Sequence, residues 1–227
     1  MLFEDTRREI AELGRRLERE GLLNHTAGNL SARVAPDQVA ISPSSIPYPD
    51  ISAADVVVVD MDGRTVEGRR RPSSELALHL AMYRMRPGIG GVVHTHAPYA
   101  TTLAVLGVPI PAVHYEIAAL ALDQIPVVPY VTYGTVDLAE RVREAIGDAN
   151  AALLANHGTI ALGPTLGAAA TFTQILESLA MLYYRARLFG DPVILPREEI
   201  LNVREKFTRS AQALAAAGQY EQSAVSL

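Results

Sequence analysis

The sequence contains no cysteine among its 227 residues. A disulfide framework and a thiolate metal site are therefore both excluded. Any metal bound by this chain must be held by histidine and carboxylate side chains, which suit zinc, manganese or iron. The candidates for a metal site are the six histidines and their acidic neighbours.

Long apolar runs are also missing. No stretch reaches the roughly 18 consecutive apolar residues that a membrane span needs. Residues 1–20 are charged throughout and lack the apolar core of a signal peptide. These absences predict a cytoplasmic protein that does not associate with membranes.

An excess of positive charge is missing as well. The 20 lysines and arginines are outnumbered by 25 acidic residues, and the formal net charge is −5. This balance disfavours nucleic acid as a partner, because general nucleic-acid binding needs a basic face. The one basic run, residues 69–71, has two interpretations: a solvated loop, or a guide for anionic substrates toward a nearby site.

The chain does have a large apolar content, 49% of its residues, and no repeat or low-complexity linker divides it. Segments with helical and strand periodicity alternate, and an Asp62-Gly63 turn signal separates two short strands. We expect one α/β or α+β domain over residues 1–227 with antiparallel pairing. The tail from about residue 208 is expected to be flexible.

Three local predictions follow from the pattern. A helix is predicted over residues 6–21, with Thr6 and Glu9 as a capping box. A second helix is predicted to begin near Pro72, which places Glu75 in its first turn. Residues 151–163 are predicted to form a strand, with His157 at the end of its apolar part.

The histidines of "GVVHTH" are the first candidates for chemistry. Residues two apart on a strand point the same way, so His94 and His96 aim their imidazoles at one point, while Thr95 points away. His157, followed by Gly158 in "LLANHGT", is a candidate third ligand. Three histidines with an open position are typical of catalytic zinc. The alternatives are hydrogen-bonded core histidines and, for His157, a turn cap.

Hydroxyl-rich turns lie beside these histidines in the sequence. "TAGN" (26–29), "SPSS" (42–45) and the serines before Glu75 are small and polar. A helix start with free N–H groups and hydroxyls can bind an anion, and Glu75 could act as a general base. The alternatives are ordinary turns and a carboxylate favoured by the helix dipole. The remaining histidines, His25, His79 and His114, are assigned structural roles.

These residues together resemble the class II aldolase/adducin family. The resemblance is carried, from the N-terminal helix to about Phe207, by seven stretches in order: "TAGNLSAR", "ISPSSIPY", "EGRRRPSSE", "VVHTHAPYAT", "IPAVHYEIAA", "IPVVPYVTYGT" and "LLANHGTIALG". It implies a three-layer α/β/α sandwich around a mainly antiparallel sheet. It also implies a homotetramer with active sites at subunit interfaces.

The resemblance implies a role for each matching residue. His94, His96 and His157 would bind a divalent metal, normally Zn²⁺ with Mn²⁺, Fe²⁺ or Co²⁺ as alternatives. Glu75 would be the catalytic acid/base and could approach the metal in the absence of substrate. Tyr115 would donate a proton in a neighbouring subunit's site. The substrate phosphate would be held by Gly28, Asn29, Ser44, Ser45, Ser73 and Ser74.

The reaction implied is cleavage of a ketose 1-phosphate, L-fuculose 1-phosphate or a similar sugar, to dihydroxyacetone phosphate and a small aldehyde. Three departures bear on it. Ser45 stands where the family usually has glycine. Ser210 matches the position of a C-terminal tyrosine, for which Tyr220 is a candidate substitute. The stretch "LALDQIP" (120–126) replaces a more glycine-rich one.

Four alternatives remain from the sequence. A ribulose-5-phosphate 4-epimerase relative would carry aspartate where Glu75 stands, which favours the aldolase. Sugar-phosphate dehydratases and decarboxylases of the family keep the three histidines. A non-catalytic adducin-like binding module would have no need of the metal set. A structural metal protein would need a further ligand and no phosphate loop.

Overall fold

The computed structural model describes residues 1–216, in which six α-helices alternate with ten strands. The helices are α1 (Glu4–Arg19), α2 (Leu76–Met85), α3 (Pro98–Leu106), α4 (Val136–Ile146), α5 (Leu166–Phe189) and α6 (Arg197–Ala216). The strands are β1 (Asn29–Ala35), β2 (Gln38–Ile41), β3 (Val57–Asp60), β4 (Thr65–Glu67), β5 (Gly91–Thr95), β6 (Ile110–Pro111), β7 (Gln124–Ile125), β8 (Val127–Val128), β9 (Ala151–Leu154) and β10 (Gly158–Gly163).

Eight strands form one sheet in the order β4-β3-β2-β1-β5-β10-β9-β8. Every neighbouring pair in it is antiparallel except β8 and β9, which are parallel. Strands β6 and β7 form a separate antiparallel pair. The prediction of a mainly antiparallel sheet is confirmed, and β5 lies between β1 and β10 with both edges paired.

Helices cover both faces of the large sheet. Because side chains alternate along a strand, Val92 and Val93 of β5 enter different apolar layers. Val92 packs with Ile160 against α2 and α4. Val93 packs with Leu30 against α1 and the start of α5, and a third cluster joins α3 and α5 to β9. The predicted α/β/α sandwich is confirmed.

The predicted start of the first helix is wrong. Helix α1 begins two residues before Thr6, and its N-cap residue, Phe3, makes no side-chain cap hydrogen bond. Thr6 therefore lies inside the first turn and cannot form the capping box with Glu9. Ile10, Leu13 and Leu17 of this helix are buried in an apolar layer against the sheet, and the acidic side chains of the first turn complement the helix dipole.

Two further boundaries differ from the sequence predictions. Glu75 occupies the N-cap position of α2 rather than its first turn, and its side chain makes no cap hydrogen bond. Residues 151–163 form two antiparallel strands, β9 and β10, joined by a tight turn. Asn156 takes the positive φ of 52° in this turn, a conformation that asparagine tolerates better than most residues. His157 lies in the turn and not on a strand.

None of the helices in residues 1–216 combines the length and the apolar content that a bilayer span requires. The long helix α5 carries its apolar side chains into the layers beneath the sheet.

Close backbone packing at Gly91 gives a stability prediction. A Cβ at this position, on the first residue of β5, would lie 2.4 Å from the Cα of Leu166 at the start of α5. We expect Gly91→Ala to lower the free energy of unfolding by about 1–3 kcal/mol, because the backbone of α5 must move. Gly88→Ala is the matched control, since nothing lies within 4 Å of its Cβ. Its effect should stay within about 0.5 kcal/mol.

Urea unfolding curves of the two variants and the parent protein measure this difference. Equal destabilisation by Gly91→Ala and Gly88→Ala would contradict the packing of α5 against β5.

Candidate active site

Three histidines meet where β5 ends. His94 is the fourth residue of β5, His96 follows the last residue, and His157 precedes β10, which pairs with β5. Their rings lie edge to face with centroids 4.7–5.2 Å apart. One ligand atom from each falls within 4.8 Å of the others. The structure thus brings together the three side chains that the sequence proposed as metal ligands.

Gly158 allows this close approach. A Cβ on Gly158 would lie 2.3 Å from the carbonyl oxygen of Thr95 and 2.7 Å from the His96 ring. Any larger residue would therefore push the turn that carries His157 away from β5. Thr95 itself points away from the site, where its hydroxyl pairs with that of Thr159 at 2.9 Å.

Glu75 lies directly over the histidines. Its Oε2 is 2.9 Å from His94 Nε2 and accepts a hydrogen bond from Asn29 Nδ2 at 3.0 Å. Its Oε1 is 3.3 Å from His157 Nε2 but has no hydrogen-bond partner among the described residues. Only 5% of the residue is exposed. A buried carboxylate oxygen without a donor indicates that a positive charge is needed here.

The hydrogen bonds of the ligands fit such a charge. His94 Nδ1 lies 2.7 Å from the carbonyl oxygen of Thr159, which can only accept, so this nitrogen carries the proton. His94 Nε2 then either shares a second proton with Glu75 or offers a lone pair to a metal. His96 Nε2 lies 3.1 Å from His94 Nε2. Acceptors therefore outnumber donors at this point, and the donor set fits a divalent cation.

The pKa values in the site favour neutral ligands at His96 and His157. Burial, reinforced by the charge of His94, lowers the pKa of each to about 4. Burial would raise the pKa of Glu75, but the charge and hydrogen bond of His94 and the bond from Asn29 outweigh it and lower the pKa. Burial opposes protonation of His94, yet Glu75 raises its pKa. At neutral pH the site thus holds a carboxylate and two neutral imidazoles.

A cavity of about 290 Å³ adjoins the histidines. Glu75, His96 and His157 form one part of its wall. All six residues that the resemblance assigns to phosphate line it too: Gly28, Asn29, Ser44, Ser45, Ser73 and Ser74. The remaining lining residues are Thr26, Ala27, Pro43 and Tyr133. The candidate phosphate residues and the candidate metal ligands thus share one cavity.

Two loops of this cavity are held together by backbone hydrogen bonds. Ser44 N–H donates to the Arg71 carbonyl at 2.9 Å, and Ser73 N–H donates to the Ser42 carbonyl at 3.1 Å. The Ser73 hydroxyl accepts from the N–H of Glu75 at 3.2 Å. These bonds fix the serines relative to the start of α2. Of the basic run, Arg70 pairs with Asp55 at 2.8 Å.

Ser45 stands where the resemblance predicts glycine, and its backbone takes a conformation that suits glycine. Its φ is +61°, a left-handed value that glycine adopts without strain. Its hydroxyl lies 3.2 Å from that of Ser44 and borders the cavity. The chain therefore retains a strained residue that places an additional hydroxyl beside the proposed phosphate site.

Tyr115 lies outside the cavity of its own chain. It begins a short 3-10 helix, Tyr115–Leu120, and 46% of it is exposed. Its ring packs near His114 and Phe207. Ser210 lies exposed on α6, and Tyr220 lies outside the described residues.

Sequence reasoning misses two residues at this site. Tyr133 is exposed and borders the cavity, but no local pattern distinguishes it from other surface aromatics. His79, for which the sequence predicts a structural role, lies one helical turn after Glu75, and its Nε2 is 2.5 Å from Asn29 Oδ1. The i, i+4 spacing of Glu75 and His79 on one helix was the available signal.

The ligand assignment predicts the behaviour of a His96 variant. We expect His96→Ala to weaken Zn²⁺ affinity by about 100-fold or more, because loss of a direct ligand should exceed the 10- to 100-fold cost of losing a ligand's hydrogen-bond partner. Zinc content after dialysis against a weak chelator measures this. His114→Ala, which changes a histidine outside the cavity, should retain parental zinc content. Normal zinc in His96→Ala would refute the ligand assignment.

Comparison with known proteins agrees with this geometry. Residues 8–184 match the family model described as Class II Aldolase and Adducin N-terminal domain. A 5-deoxy-D-ribulose 1-phosphate aldolase of Bacillus thuringiensis is 42% identical over 91% of this chain and 97% of its own length. The L-fuculose phosphate aldolase of Escherichia coli K12 is 41% identical over 88% and 93%.

A solved L-fuculose 1-phosphate aldolase has a similar fold. It superimposes with a TM-score of 0.86 at 41% identity and covers 89% of this chain and 96% of its own. The chain therefore belongs to the class II aldolase and adducin family, and within it groups with the aldehyde-lyases.

Proposed function

We propose that this protein is a metal-dependent aldolase that cleaves a ketose 1-phosphate to dihydroxyacetone phosphate and a small aldehyde. One observation carries the proposal: three imidazoles and a buried carboxylate converge at the wall of a cavity that is also lined by serine hydroxyls. The first group suits a divalent cation and the second an anion. A phosphorylated sugar with adjacent oxygens presents complementary groups to both.

His94, His96 and His157 would hold the metal, for which we propose zinc, with manganese, iron or cobalt as alternatives. A bound divalent cation would stabilise the negative charge that develops on the substrate oxygens when the C3–C4 bond breaks. The apolar layer of α2 and α4 beneath the site keeps His94 and Glu75 away from bulk water. Electrostatic interactions are strong in such surroundings.

Glu75 would move the proton. Its carboxylate is ionised at neutral pH, so it can take a proton from the C3 carbon of dihydroxyacetone phosphate in the synthetic direction. In the cleavage direction the same group returns a proton to that carbon. Asn29 holds one carboxylate oxygen, while Oε1 keeps an unused lone pair. The oxygen without a partner is the one available for proton transfer.

The phosphate would be held by Gly28, Asn29, Ser44, Ser45, Ser73 and Ser74. Hydroxyl groups and backbone N–H groups of loops that precede a helix suit an anion. No lysine lines the cavity among the described residues, so a Schiff base on this wall is not part of the proposal.

Tyr115 would donate a proton to the aldehyde oxygen in a neighbouring subunit's site, within a homotetramer. Its exposure at the surface and its absence from the lining of its own cavity support a role across an interface. Large apolar side chains are exposed on α3, before α4 and at the first residue of α4, which is consistent with a covered surface in an assembly. They are Val105, Leu106, Tyr130 and Val136.

We propose a short deoxy ketose 1-phosphate as the substrate, and the length of that sugar decides which aldehyde is released. L-fuculose 1-phosphate would give lactaldehyde, and 5-deoxyribulose 1-phosphate would give acetaldehyde. Both sugars share the dihydroxyacetone phosphate half that the cavity serves. The relatives named for the two substrates are almost equally similar to this chain.

If Glu75 transfers the proton, a Glu75 variant should lose proton exchange and still bind zinc. We expect Glu75→Gln to retain zinc and to lose about 100-fold or more of the rate at which dihydroxyacetone phosphate exchanges its C3 proton with solvent, since an amide cannot accept that proton. Proton NMR in deuterated water measures the exchange. Glu9→Gln, which removes a carboxylate from the opposite helical layer, is the matched control. Exchange at the parental rate in Glu75→Gln would remove Glu75 as the base.

A further inference from the structure

A continuous line of hydrogen bonds runs from the core beneath α2 to Glu75. The Tyr83 hydroxyl lies 2.9 Å from Ser31 Oγ, which lies 2.6 Å from His79 Nδ1. His79 Nε2 lies 2.5 Å from Asn29 Oδ1, and Asn29 Nδ2 donates to Glu75 at 3.0 Å. All five residues are buried.

The donors and acceptors of these five residues fix the direction of donation along the line. The ionised Glu75 can only accept, so Asn29 must turn its NH₂ group toward it. Asn29 Oδ1 then faces His79 and can only accept, so the proton of His79 resides on Nε2. His79 Nδ1 therefore accepts from Ser31, which in turn accepts from Tyr83. Each of the four hydrogen bonds thus joins one donor to one acceptor, and the four assignments are mutually consistent.

The line is held at Tyr83 and along β1. Arg33 stacks its guanidinium over the Tyr83 ring, 5.0 Å from the centroid, and donates to the Tyr83 carbonyl at 2.7 Å. Asn29 and Ser31 are on β1, in register with His94 and Val92 of β5. The line therefore links α2 to β1, the strand that pairs with β5 beside His94.

His79 does more than fill space between α2 and the sheet. The layer there is largely apolar, yet both ring nitrogens of His79 engage polar partners, Ser31 and Asn29, and an apolar side chain would leave the Asn29 amide oxygen without its donor. Burial also lowers the pKa of His79 to about 3, so the ring is neutral at pH 7, and the hydrogen bond to Asn29 Oδ1 selects the Nε2–H tautomer. A neutral ring with both nitrogens engaged is suited to orienting a neighbour.

We propose that His79 is a positioning residue: its Nε2–H fixes the orientation of the Asn29 amide, and that amide fixes the carboxylate of Glu75 over the histidines. This inference rests on the proposed function for its catalytic consequence. Without the donor from His79, the Asn29 amide can rotate its oxygen toward Glu75, and the repelled carboxylate leaves the geometry that proton transfer needs.

The test compares His79→Met with His79→Gln. Methionine fills a similar volume but removes both nitrogens, whereas glutamine supplies an N–H donor and an acceptor at the end of its side chain. We expect His79→Met to lower the C3 exchange rate of dihydroxyacetone phosphate at saturation by about 10- to 100-fold, with zinc content and KM changed by less than about 3-fold. His79→Gln should recover most of this loss.

Two results would overturn the inference: an unchanged exchange rate per folded His79→Met molecule, or no recovery in His79→Gln. If His79→Met fails to fold, Ser31→Ala and Tyr83→Phe remove the more distant links and should give graded, smaller losses. Thr173→Val, which removes a buried hydroxyl bonded only within α5, is the matched control and should leave exchange unchanged.

A double-mutant cycle separates this inference from the proposed function. If the parent protein exchanges no proton, the proposed function fails, and the cycle of His79→Met with Glu75→Gln in the free energy of unfolding decides the positioning claim. A coupling free energy beyond experimental error supports it, because the two residues would then act on each other through Asn29. Additive effects would contradict it.

Discussion

The site depends on the pairing of β5 with β1 on one edge and β10 on the other. This register places Asn29 and Ile160 opposite His94. Because side chains alternate along a strand, it also turns His94 toward α2, where Glu75 begins the helix. A shift of one residue would turn His94 into the layer of α1 and α5. The pairing that builds the sheet therefore also builds the site.

The apolar layers around this strand give the site its electrostatic character. A carboxylate, three imidazoles and a carbonyl oxygen meet at the edge of an apolar layer, where unpaired charge is costly. The N–H groups of the protein donate hydrogen bonds to only some of these acceptors, and Glu75 Oε1 has no donor within residues 1–216. A divalent cation would satisfy the ligands, and an anionic substrate would balance the added charge. A bound metal, the substrate phosphate and the Glu75 carboxylate would thus form one electrostatic arrangement.

Much of this was predictable from residue pattern alone. The His94-x-His96 spacing implied convergence because strand geometry is local, and the three-layer fold followed from the family resemblance. Features that depend on tertiary contacts were not predictable. Helix α1 starts after Phe3, which packs against an apolar layer and makes no cap hydrogen bond, and the turn at Asn156 divides an apolar run that looks like one strand. The link from His79 to Glu75 required knowledge of the facing strand β1.

The most direct test of the account is the release of dihydroxyacetone phosphate from L-fuculose 1-phosphate and from 5-deoxyribulose 1-phosphate by zinc-loaded protein, with and without a chelator. The account predicts release from at least one of the two sugars, loss of release on chelation and recovery when zinc is returned. Release that persists after the metal has been removed would contradict the role of the three histidines. No release by protein that holds its metal would contradict the aldolase and favour the epimerase, dehydratase or decarboxylase reactions of the family.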